Sequence, residues 1–162
     1  MWYIARMTKP LWAPWRLEYV QHADEEPGCI FCEPDDALLV HRGERALVLL
    51  NKFPYSSGHL LVAPIRHVAD FGALDAAEAA EIHLLAAAGI RALTDVYEPQ
   101  GFNLGWNIGR VAGAGIVGHV HQHVVPRWGG DTNFMPVLAD VKVLPEHLLE
   151  TQRRLSAAWP KT

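Results

Sequence analysis

The sequence predicts an α+β fold built on an antiparallel sheet. Two observations carry that prediction. Short runs of β-forming residues, separated by Gly, Pro, Asn and Asp, fall in a block of three before residue 64 and two after residue 101. Between them lies a single long Ala- and Leu-rich stretch with an apolar stripe at helical spacing. Strands grouped around one helix, rather than alternating with helices, favour antiparallel pairing.

The elements follow in order. Leu38–Arg42 and Ala46–Asn51 read as two strands joined through Arg42-Gly43-Glu44-Arg45 as a hairpin. Pro54 to Gly58 is a loop by composition, and His59–Pro64 is a third strand. Asp75 to Tyr97 is the strong helix, started by Asp75, with Ile82, Leu85, Ile90 and Leu93 on its apolar stripe. Phe102–Ile108 is a fourth strand, Gly109–Gly118 a glycine-rich loop, and His119–Pro126 a fifth strand. Pro145 to Trp159 suggests a C-terminal helix. Leu11 to Arg16, rich in Trp and broken by Pro14, reads as an irregular packing arm, and Asp24 to Gly28 as an acidic turn.

Composition narrows the class of function. The 162 residues suffice for one domain that buries about two-thirds of its unfolded surface. Half the residues are hydrophobic and a fifth charged, as in a soluble globular chain. A net charge of −4 gives no basic footprint for nucleic acid or an acidic membrane. No apolar run approaches the ~20 residues of a membrane span, and the first residues do not read as a signal peptide. With only Cys29 and Cys32, there is no secreted disulfide framework, so a cytoplasmic location is expected. Met1 and Met7 are both candidate starts.

The chemistry is concentrated in His119-Val120-His121-Gln122-His123-Val124-Val125-Pro126-Arg127. In an extended strand alternate side chains share a face, so the three imidazoles line up roughly 6.5–7 Å apart. Three readings are open: a metal ligand set, a nucleophilic site, and polar groups satisfied within the fold. A neutral imidazole attacks phosphorus through one nitrogen when the other donates to a fixed acceptor. His121 is best placed for this, with a histidine on either side. The preceding loop, Asn107 to Gly118, is rich in small residues whose backbone N–H groups can approach a phosphate. Cys29-Ile30-Phe31-Cys32 is a CxxC without the βαβ context of a redox motif, and as a zinc site it needs two further ligands.

His119 to Val125 resembles the signature of the histidine triad (HIT) family. Asn51 to Pro64, with its Asn-to-Gly-His spacing, resembles that family's second motif. The resemblance runs from Leu11 to at least Leu149. Phe102–Asn107, Pro126–Phe134 and Lys142–Pro145 are most similar to the branch holding fragile-histidine-type hydrolases and bacterial diadenosine tetraphosphate phosphorylases.

The resemblance implies a five-stranded antiparallel sheet with one long helix and a C-terminal helix. It implies a single domain over 1–162, with an N-terminal arm (1–28), a core (29–127) and a C-terminal extension (128–162). It implies an enzyme that cleaves the phosphoanhydride of an adenine nucleotide or dinucleoside polyphosphate through a nucleotidyl-histidine. His121 matches the nucleophile, His123 the residue that aids the leaving group, and His119 the supporting first histidine. His59 matches the histidine backing the phosphate site, Asn51 the ribose contact, and Asn107 the amide near the scissile phosphate. Gly113 and Gly115 fall in the loop expected to hold phosphate. Gly115 stands where relatives often carry Ser or Gln, which leaves water and phosphate both open as the second acceptor. Gln122 departs from an apolar spacer but points away from the histidines.

The same resemblance implies a structural zinc held by Cys29, Cys32, His67 and His119, no organic cofactor, and a homodimer or higher assembly. Other function classes are a nucleotide-binding module with little activity and a nucleoside phosphoramidate hydrolase. His83 and His147 are expected to be exposed, Glu78 and Glu81 to lie on a solvated helix face, and Trp12, Trp15, Trp128 and Trp159 to pack in the core or arm.

Overall fold

A computed structural model describes residues 28–131 and 146–161. The expected aromatic arm with Trp12 and Trp15, most of the acidic turn, and the Lys142–Pro145 segment lie outside the described residues. Five strands form one sheet: β1 (Leu39–Arg42), β2 (Ala46–Leu50), β3 (Leu60–Pro64), β4 (Gly101–Trp106) and β5 (Gln122–Arg127). The order across the sheet is β1-β2-β3-β5-β4, and every pair is antiparallel. Helix α1 (Ala76–Tyr97) joins β3 to β4, and α2 (Leu148–Ala157) follows the sheet. The α+β fold with a five-stranded antiparallel sheet is as the sequence reading expected.

Both faces of the central strands are covered. Val48, Leu50, Leu60, Val62 and Val124 face α1, where Ile82, Leu85, Ala86 and Leu93 meet them and Leu155 of α2 closes the edge. Leu47, Leu49, Leu61 and Ala63 point to the other face and form a smaller cluster with Phe31. β2 and β3 are therefore buried along their whole length, which is why they read as continuous apolar runs. Helix and sheet approach closely at Gly89, where a Cβ would come within 2.8 Å of Leu60 Cδ1.

Asp75 caps α1 as expected, and the structure completes the motif: its side chain accepts from Glu78 N–H while Glu78 accepts from Asp75 N–H. Glu78 and Glu81 correct the expectation of a solvated face. Glu78 is 4% exposed and held at both oxygens by Arg66, at 2.8 and 2.7 Å. Those bonds, with the capping N–H, hold its carboxyl down to about 2. Glu81 accepts from the N–H groups of Glu44 and Arg45 and so pins the β1–β2 turn. Neither contact is visible in helical periodicity, because each partner lies well outside the helix.

The C-terminal helix is tied back to β1. Gln152 donates to Leu39 O at 2.6 Å, Ser156 donates to Val40 O at 3.1 Å, and Trp159 stacks on His41 with centroids 4.9 Å apart. Trp128 donates its indole N–H to Tyr97 O. His83 and His147 are exposed, and His147 Nδ1 accepts from Leu149 N–H at the start of α2. No described helix is long and apolar enough to cross a membrane.

Candidate active site and metal centre

The fifth strand starts later than the sequence suggested. β5 begins at Gln122, so only His123 of the three histidines lies in it. His119 to His121 precede it, anchored by Val120 N–H donating to Val68 O at 2.8 Å. Val68 belongs to no strand, so this segment pairs without extending the sheet. The expected alternation survives nonetheless. His121 and His123 ring centroids are 5.0 Å apart, and Gln122 points to the helix side, in register with Val62 and Trp106. Its Oε1 is buried with no partner among the described residues.

His121 sits on the floor of a cleft lined by Asn51, Phe53, Tyr55, Leu61, Gly115, Ile116 and His123. Its Nδ1 lies 2.8 Å from the carbonyl oxygen of His119. A carbonyl only accepts, so Nδ1 carries the hydrogen and Nε2 keeps its lone pair. His121 is 5% exposed, so the imidazole is held out of bulk water.

His123 takes its tautomer from a chain that starts in the main chain. Tyr55 N–H donates to His59 Nδ1 at 3.0 Å, which leaves the hydrogen of His59 on Nε2. His59 Nε2–H then donates to His123 Nδ1 at 2.9 Å. In neutral His123 the hydrogen is thereby placed on Nε2, so that atom does not accept from Asn107 Nδ2, 3.3 Å away, which donates instead to Gly113 O. His59 is fully buried and its ring stacks on Tyr55, with centroids 4.8 Å apart. One imidazole thus offers a lone pair and its neighbour offers an N–H.

His119 faces elsewhere. Its Nε2–H donates to Pro64 O at 2.8 Å, and its Nδ1 lies 3.3 Å from Cys29 Sγ and 3.7 Å from Cys32 Sγ. Cys32 Sγ is in turn 3.2 Å from His67 Nδ1. The four ligand atoms lie within 4.8 Å of one another. Around a tetrahedral zinc, with bonds of ~2.0–2.3 Å, neighbouring ligand atoms are roughly 3.3–3.8 Å apart. The three thiol–imidazole distances, 3.2, 3.3 and 3.7 Å, are close to that spacing. Burial pushes His119 toward its neutral, ligating form; burial and the adjacent Cys29 thiol push the Cys32 thiol up, a cost that a cation would offset.

Of the residues anticipated from sequence, Asn51, Gly115, His121 and His123 line the cleft, His59 backs it and Asn107 meets His123. Gly113 is not among the lining residues: its N–H donates to Arg110 O at 2.8 Å, and its carbonyl accepts from Asn107. Of the glycine-rich loop, Gly115 and Ile116 are the residues that line the cleft. Sequence reasoning missed Tyr55, Phe53 and Phe31. Tyr55 and Phe53 lie inside the Asn51–Pro64 motif, which was the available signal. Phe31 sits between the two cysteines, with ring centroids 5.0 Å from both His119 and His121.

A family model described as HIT domain matches residues 33–130. The chain is 37% identical to an AP-4-A phosphorylase of Mycobacterium tuberculosis, covering 93% of this chain and 84% of that protein. It is 36% identical to the adenosine 5'-monophosphoramidase hnt1 of Schizosaccharomyces pombe, over 61% of this chain and 74% of that protein. Among solved structures, a Zn-bound histidine triad family protein from Mycobacterium smegmatis superposes with a TM-score of 0.65 at 28% identity, covering 81% of this chain and 92% of that one. The chain belongs to the HIT family, and its triad is the site of a nucleotide hydrolase or nucleotidyltransferase.

Proposed function

We propose that the protein splits dinucleoside polyphosphates of the diadenosine tetraphosphate type by phosphorolysis, through a nucleotidyl-His121 intermediate. The observation that carries this reading is the His121 tautomer, whose Nδ1–H is committed to His119 O. The Nε2 lone pair attacks the α-phosphorus, an N–P bond forms, and the bridging P–O bond breaks. His123, as the Nε2–H tautomer, donates toward the departing polyphosphate oxygen. Inorganic phosphate then attacks the same phosphorus and breaks the N–P bond, releasing a nucleoside diphosphate. Splitting one displacement into two is the gain of covalent catalysis. Asn51 contacts the ribose, and the backbone at Gly115 and Ile116 faces the phosphates. Similarity to an AP-4-A phosphorylase along nearly the whole chain supports the choice of phosphate over water.

Cys29, Cys32, His67 and His119 would hold zinc in a closed four-coordinate site. Its contribution is structural: it ties the CxxC loop to the segment that carries the triad. Among the described residues β4 is an edge strand, and Leu104 on it and Ile108 just beyond it are exposed, which supports a homodimer. Free thiols beside imidazoles suit a reducing compartment, and we place the protein in the cytoplasm. We take residues 29–127 as the catalytic core and 128–162 as an extension of the same domain.

Incubation with diadenosine tetraphosphate, with and without inorganic phosphate, tests the reading. ADP and ATP formed only with phosphate is the expected result. AMP and ATP formed without it would make the enzyme a hydrolase; turnover of adenosine phosphoramidate alone would reject the dinucleotide assignment.

A further inference from the structure

We infer that Phe31 is a positioning residue that holds the plane of the His121 imidazole and ties it to the Cys29–Cys32 loop. The inference rests on His121 being the nucleophile. The Nδ1–H reaches His119 O only while the ring keeps the plane that aims it there, and that plane is set by packing. Phe31 and His123 supply that packing, each with its centroid 5.0 Å from His121.

Phe31 is suited to the task because it is itself held. It is 1% exposed and belongs to the cluster of Leu47, Leu49, Leu61 and Ala63 on the catalytic face of the sheet. Cys29 and Cys32 flank the Ile30–Phe31 pair, and their thiols face His119 and His67. It does not line the cleft, so its influence on substrate passes through His121. One aromatic ring therefore connects the metal-ligand loop, the first triad histidine and the nucleophile.

The consequence is a rate effect without a binding effect. A reacting atom displaced by ~1 Å costs up to about 10²-fold in rate. Phe31→Leu keeps the site apolar but removes the flat surface. It should slow formation of the nucleotidyl-enzyme about 10- to 100-fold while KM stays within about twofold. In ¹⁵N NMR without substrate, His121 should no longer show a single Nδ1–H tautomer. Zinc content should be unchanged. Phe31→Met should behave alike and serves if the leucine variant folds poorly. Leu47→Ala, in the same cluster on β2, should lower stability and leave the rate and the His121 tautomer as in the parent.

The inference is overturned if the Phe31 variants keep the parent rate and tautomer, or if KM rises with kcat unchanged. It is equally overturned if slowing tracks zinc loss, or if Leu47→Ala slows the reaction as much. Should the parent protein form no nucleotidyl-enzyme at all, the functional reading fails separately. The NMR measurement still decides whether Phe31 holds the ring.

Discussion

His121 donates its Nδ1–H to the carbonyl oxygen of His119, two residues earlier, at 2.8 Å. The first histidine therefore meets two groups of residues with different atoms. Its ring faces the thiols of Cys29 and Cys32, and its main chain fixes the tautomer of the next histidine. The spacing of two places that carbonyl within reach of the following imidazole, so the bond needs no regular strand.

Replacing His121 removes the nucleophile and little else from the cleft. His121→Ala should lower turnover of diadenosine tetraphosphate by at least about 10³-fold, as expected when covalent catalysis is lost. Far-UV circular dichroism should be unchanged. Wild-type rates in this variant would reject the assignment of the nucleophile.

His59 holds His123 through one buried hydrogen bond. His59→Ala leaves His123 Nδ1 without that donor, and the proton on Nε2 is no longer specified. A drop in kcat of roughly 10- to 100-fold is expected, less than full loss of a general acid. His59→Gln, whose amide can still donate, should recover part of the rate. Steady-state kinetics of the two variants decide this; equal rates in both would sink the tautomer argument.

The Cys29, Cys32, His67 and His119 cluster should carry one zinc per chain. Cys32→Ser or prolonged chelation should remove it, lowering stability by about 2 kcal/mol, roughly 4–8 °C in Tm for a chain of this size. His121→Ala should retain the metal, because its imidazole lies outside the cluster. Elemental analysis beside thermal melts makes the comparison. Zinc retained in Cys32→Ser but lost in His121→Ala would place the metal at the nucleophile instead.

Glu78 makes stability depend on acid. Its carboxyl is depressed from an ordinary 4.5 to about 2 by the Arg66 bonds and the capping N–H. A depressed carboxyl stabilises the fold above its unfolded value and loses that contribution as pH falls through the folded one. Wild type should therefore lose stability between pH 4.5 and 2. Glu78→Gln should start about 1–2 kcal/mol lower at neutral pH, a modest figure because the Arg66 partner is half exposed. Its dependence across that window should be flatter. Urea unfolding across the range measures both; parallel pH profiles would overturn the account.

What was legible in the sequence is local. The alternation brings the imidazoles at 121 and 123 together although the backbone at 121 is not a formal strand, while His119 turns to the cysteines. Asp75 marks the start of α1, and the apolar runs at 46–50 and 60–64 mark the central strands. The family motifs named the chemistry because their residues lie close together along the chain.

Tertiary structure decided whatever depends on partners remote in sequence. Glu78 reads as surface from its helix alone and is buried because Arg66, twelve residues earlier, folds back onto it. The strand boundary moved to Gln122 because Val120 N–H bonds to Val68 O rather than to a neighbouring strand. Cys29 meets His119 across ninety residues, and Phe31 reaches His121 by the same closure of the chain. Periodicity reports which side of an element is apolar; it contains no distance between elements. The residues that could act were therefore written in the sequence. Which nitrogen of each histidine holds its proton was settled only when the chain packed.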